Sequence, residues 1–131
     1  MPVSFLLPDI DPDRISAELA RLAAKDENYK LTINSGKELE ISSAEIAAGE
    51  TVLVTIVLPH GYPQSAPRIY AQVPSETPKR WPDGSLSIFG ATTVWNAKIH
   101  DVPHALRMAR AWLKDFTKWK KTGQWPEGDV R

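Results

Sequence analysis

The chain has 131 residues, 42% hydrophobic and 24% charged, which suits a single folded domain over 1–131 and excludes a disordered chain. Its 16 basic residues balance 16 acidic ones, so no net field draws nucleic acid or a membrane surface to it, and neither is expected as a partner. A cysteine count of zero excludes disulfides, cysteine zinc sites and thiol catalysis in this sequence, while the three histidines lack the spacing of a metal motif, so neither metal nor cofactor is expected.

Taken in chain order, the N-terminal MPVSFLLPDIDPD lacks the basic region and apolar length of a signal peptide, and no apolar run reaches the ~20 residues of a membrane span. A cytoplasmic location is the expectation. Asp11 and Pro12 suit the cap and first position of a helix. Ile15, Leu19 and Leu22 give that helix one apolar face, and it should end near Asp26–Asn28. Alternation over Tyr29–Ile33 and again over Leu39–Ile41, with Asn34-Ser35-Gly36 between, reads as a hairpin. A second turn at Ala48-Gly49-Glu50 leads to Thr51–Leu58, β-branched and apolar on both faces like a central strand. Arg68–Val73 supplies a fourth strand, and the short turns predict an antiparallel meander.

From Pro59 to Asp101 the pattern breaks. Prolines 59, 63, 67, 74, 78 and 82 forbid long regular elements, yet Tyr62, Tyr70, Trp81, Phe89 and Trp95 supply area to bury, so the stretch reads as a structured functional loop. Asp101 then caps a helix with Pro103 in its first turn. Its apolar stripe includes Leu106, Trp112, Leu113 and Phe116, its basic residues form a solvated face, and Gly123 is its stop. Trp95, Trp112 and Trp119 are expected to pack internally, whereas Trp81 and Trp125 are candidates to meet a partner. The order is an N-terminal helix, a four-stranded antiparallel meander, a long proline-rich loop and a C-terminal helix, an α+β fold.

That order, together with three local matches, resembles the ubiquitin-conjugating (UBC) fold. Tyr62, Pro63 and Pro67 in YPQSAPRIYA match the Tyr-Pro segment that leads into the family's fourth strand. DGSLSI matches its Gly-x-aliphatic-Cys-aliphatic active site at Gly84, Leu86 and Ile88, with Ser87 falling on the cysteine. Trp95 follows Ser87 by eight residues, the family's spacing from cysteine to tryptophan. The stretch Ala111–Gly128 looks like the tail of bacterial relatives found in antiphage defence operons.

The resemblance implies an acyl carrier. It would accept the C-terminus of a ubiquitin-like protein, or of a cyclic-nucleotide synthase, from a ubiquitin-activating-type enzyme and pass it to a target protein's amine. The departures are at the site. Ser87 stands at the cysteine position, and the family's His-Pro-Asn triplet corresponds to Thr77-Pro78-Lys79, with Lys79 in place of the asparagine eight residues before Ser87. A thiolate suits acyl transfer because it is accessible near neutral pH and leaves well, whereas a serine hydroxyl needs an adjacent base. Two accounts of Ser87 stay open: an introduced Cys→Ser replacement that silences the enzyme or traps an oxyester, which is favoured, and a natural relative that keeps the UBC surface for binding alone. Candidate site residues are Ser87, Lys79 as an electrostatic substitute for asparagine, His100 as a base and Asn96 as a polar contact. His60 is a lesser candidate, and Asp83 with the histidines forms no serine-hydrolase motif.

Overall fold

The computed structural model describes residues 12–25, 28–90 and 93–126. Asp11, Asp26 and Glu27, which figured in the ends of the first helix, and Gly128 of the tail lie outside the described residues. The elements are α1 (Pro12–Ala24), β1 (Lys30–Ile33), β2 (Leu39–Ala47), β3 (Glu50–Leu58), β4 (Arg68–Ala71) and α2 (Val102–Thr122). The strands form one antiparallel sheet in the order β1-β2-β3-β4, the expected meander.

β2 runs six residues beyond Ile41, through polar Ser42, Ser43 and Glu45, which have little strand preference. Pairing with β3 overrides that weakness: the ladder is unbroken from Leu39↔Leu58 to Ala47↔Glu50, and the Ser42 and Thr55 hydroxyls meet across it at 3.1 Å. β4 stops at Ala71 rather than Val73, although the Gln72 N–H still donates to the Leu53 carbonyl.

Pairing sets one apolar row across the sheet: Leu31↔Ile41, Ile41↔Ile56 and Ile56↔Ile69. The last three are buried, and Leu31, on the edge strand, is half-exposed. α2 covers this face with Ala105, Leu106, Ala109, Trp112, Leu113 and Phe116. Its N-cap is Asp101, whose Oδ1 accepts from the His104 N–H at 2.8 Å. It closes at Gly123, whose φ of 77° suits glycine and whose N–H returns to the Trp119 carbonyl. α1 adds Ile15 and Leu22 to the core.

Trp95 and Trp119 pack partly buried against the core, and Trp112 is fully buried, as expected. Trp125 meets Trp112 in a tilted ring contact at 4.9 Å and is partly buried against the core. Trp81 stays 40% exposed. Among the described residues no helix is long and apolar enough to cross a membrane.

Candidate functional site

The region around Ser87 is a small hairpin. The Trp81 N–H donates to the Ser85 carbonyl at 2.7 Å and the Gly84 N–H returns to Trp81 at 2.8 Å, so Pro82-Asp83-Gly84 is the turn. Gly84 has φ of 90°, the left-handed position that a three-residue hairpin loop requires. The Asp83 carboxylate accepts from the Ser85 hydroxyl at 2.6 Å and its N–H at 2.9 Å, and these bonds hold its carboxyl below the usual carboxylate range. Arg80 and Leu86 form the next bridge, and the Ser87 N–H then donates to the Lys79 carbonyl at 3.0 Å.

Two further bonds decide how Ser87 is presented. The Leu86 N–H donates to Ile69 at 2.7 Å, docking the hairpin on the β4 edge of the sheet. The Ile88 N–H donates to the Leu86 carbonyl at 2.9 Å, a three-residue turn with Ser87 at its apex. Leu86 and Ile88 point into the core, at 3% and 0% exposure, while Ser87 between them is half-buried. A hydroxyl flanked by apolar residues is thus a half-buried apex rather than a core serine; the buried serine of the stretch is Ser85.

Lys79, directly across from Ser87, is exposed and has φ of 62°. A non-glycine residue there is strained by about 1–2 kcal/mol. The strain is held by two donors on one carbonyl: the Ser87 N–H, and the Trp112 indole N–H of α2 at 3.1 Å. Arg80 fixes the approach by donating to the carbonyls of Thr77 and Ser75, at 3.2 and 2.5 Å.

The other two candidates lie in a separate turn. Asn96 is exposed; its side chain accepts from the Lys98 N–H at 2.9 Å and its own N–H donates to His100 Nδ1 at 2.8 Å. His100 is buried among Phe89, Trp95 and His104. Burial, then the neighbouring His104, pushes its pKa down against the opposing pull of Asp101. Its Nδ1 is an acceptor, so the ring is neutral with its proton on Nε2, and protonating Nδ1 would break the Asn96 bond. The structure therefore pairs Lys79 with Ser87 and Asn96 with His100. Phe89, in ring contact with both Trp95 and His100, links the two groups. His60 lies elsewhere, its Nε2 on the Gly36 carbonyl.

A buried carboxylate supports the whole region. Glu18 of α1 accepts from the Tyr62 hydroxyl, from the Val102 N–H at 2.6 Å and from Arg14 at 2.8 Å. Arg14 also donates to the carbonyls of Ala97 and His100. Burial and the bond to Glu18 push the Tyr62 hydroxyl up, so it stays a donor. The Trp95 indole donates to the Pro63 carbonyl at 2.7 Å, closing the loop over itself. The sequence signal for this network was a charged residue on the apolar stripe of α1, three residues after Ile15.

No protein-family model matches the chain. No curated protein matches it. Among solved structures it is similar to a complex of the Vps23 UEV with ubiquitin, at 16% identity and a TM-score of 0.51, covering 86% of this chain and 91% of that one. The fold is UBC/UEV-like. Among the described residues no cluster of His, Asp and Glu could hold a metal ion.

Proposed function

We propose that this chain engages the C-terminal tail of a ubiquitin-like protein along the 79–89 hairpin and receives the tail's terminal acyl group at position 87, as a ubiquitin-conjugating-type carrier. The observation that carries the reading is the placement of Ser87 at the half-buried apex of a turn locked to β4 and, through Lys79, to α2. Between the hairpin and β4 lies a cleft of about 200 Å³ lined by Pro67, Arg68, Ile69, Trp81, Asp83 and Leu86, next in the chain to Ser87, which could take part of a tail. The similar Vps23 UEV structure holds ubiquitin, which makes a ubiquitin-like protein the partner class to test first. The antiphage setting, the cytoplasmic location, the activating enzyme and the target amine belong to the same proposal and rest on the sequence resemblance.

A second reading, a binding module without acyl transfer, is favoured by the serine at position 87 and by the use of His100 Nδ1 to hold Asn96. Incubating the Ser87→Cys variant with ubiquitin carrying a C-terminal thioester separates the two. The carrier reading expects an adduct that dithiothreitol removes and that Ser87→Ala does not form. Binding of ubiquitin with no adduct on Ser87→Cys supports the module instead.

A further inference from the structure

The two positions at which the chain departs from the conjugating-enzyme pattern, 79 and 87, are the two that the hairpin sets opposite each other. The pair extends the Arg80↔Leu86 bridge by one step and is tied by the 3.0 Å bond from the Ser87 N–H to the Lys79 carbonyl. The bond brings the two backbones together, with Ser87 at the apex of its turn and Lys79 at φ of 62° facing it. The Trp112 indole fixes the same carbonyl from α2, so the Lys79 backbone is held opposite Ser87, while its flexible four-carbon side chain is exposed and can swing toward the hydroxyl.

We propose that Lys79 and Ser87 form a Ser–Lys dyad, with the Lys79 amine as general base for the Ser87 hydroxyl, that acylates Ser87 from an activated thioester or ester. This rests on reading position 87 as the acyl-receiving position. It accounts for both departures at once: a serine needs an adjacent base that a cysteine does not, and lysine is an established partner in serine nucleophile pairs. The other basic groups nearby are committed. The Asp83 carboxylate holds Ser85, His100 Nδ1 holds Asn96, and Arg80, which cannot give up its proton, staples the 75–77 carbonyls. In the step, neutral Lys79 takes the hydroxyl proton as Ser87 Oγ forms a bond to the acyl carbon. The bond to the leaving thiolate or phenolate breaks, that group departs as its anion, and the Lys79 ammonium gives its proton to solvent. The product is an oxyester on Ser87. The pair is aligned by backbone bonds; catalytic side-chain hydrogen bonds commonly close only when substrate arrives.

The test treats the full chain with p-nitrophenyl acetate between pH 7 and 10 and maps acetyl groups by peptide mass spectrometry before and after hydroxylamine, which cleaves esters and spares lysine amides. The dyad predicts a hydroxylamine-labile acetyl on Ser87. It also predicts loss of at least about 100-fold in both Lys79→Ala and Lys79→Arg, since arginine keeps the charge but cannot act as base. Equal Ser87 acylation in parent and Lys79→Arg overturns the dyad, and so does a parent that is never acylated at Ser87. If, in that case, Ser87→Cys still takes up ubiquitin from its thioester, the carrier reading stands without the dyad. If it does not, both fall.

Discussion

At the scale of single residues, position 79 carries the clearest tension. A lysine in the left-handed region is unfavourable, and asparagine tolerates that region better because its short amide bonds locally. Lys79→Asn should therefore raise stability, by up to about 1 kcal/mol, in urea unfolding while removing the base. Gly84→Ala should act in the opposite sense and cost about 1–2 kcal/mol, because φ of 90° at the turn belongs to glycine. His100 gives a pH signature. Its folded pKa lies below its ordinary 6.5, so between the two values the unfolded chain binds more protons than the folded one. Stability should rise with pH across that window and be fully present above it; His100→Asn should flatten the slope in denaturant melts run from pH 5 to 7.5. Ser87 shows how far residue reading reaches. Its spacing to Gly84 and Trp95 singled it out as a candidate, but the sequence placed it between apolar neighbours without saying that it is an apex, because that depends on the Ile88–Leu86 turn bond and on Leu86 docking to Ile69.

At the scale of elements, the strands and helices with strict periodicity were legible. β1, β3 and α2 lie where alternation, β-branching and the Asp101 and Gly123 caps put them. β2 was underestimated because Ser42–Glu45 form a strand only through long-range support: the β3 ladder and the Arg110 guanidinium on Glu45 at 2.7 Å. The link between α2 and the hairpin was also hidden, since Trp112 is read from sequence as an ordinary core residue. Trp112→Phe keeps an aromatic ring against Phe116 but removes the donor to Lys79 and part of a fully buried indole. The expected cost is about 2–3 kcal/mol, with faster amide hydrogen exchange at Ser87 than in the parent. Unchanged protection at Ser87 would mean that α2 does not set the hairpin.

At the scale of the molecule, a sheet capped by helices supplies a rigid frame, and the proline-rich region gains order from bonds that span most of the chain. Arg14 reaches the His100 carbonyl across 86 positions, and Glu18 reaches Val102 across 84. Such pairings leave almost no local trace, so the loop was legible as structured from its aromatics but not as to how. Glu18→Gln should cost about 2–3 kcal/mol by weakening charge-assisted bonds to Tyr62, Val102 and Arg14, and should loosen the 96–102 turn before the sheet. The account as a whole rests on position 87 being where an incoming tail arrives. Because the chain has no cysteine, single cysteines can be placed at Ser85, Ser87 and Thr93 in turn and each variant exposed to a peptide thioester ending in Gly-Gly. A dithiothreitol-sensitive adduct forming fastest, and by a wide margin, on Ser87→Cys is the predicted result; equal or faster reaction at Ser85→Cys or Thr93→Cys would contradict it.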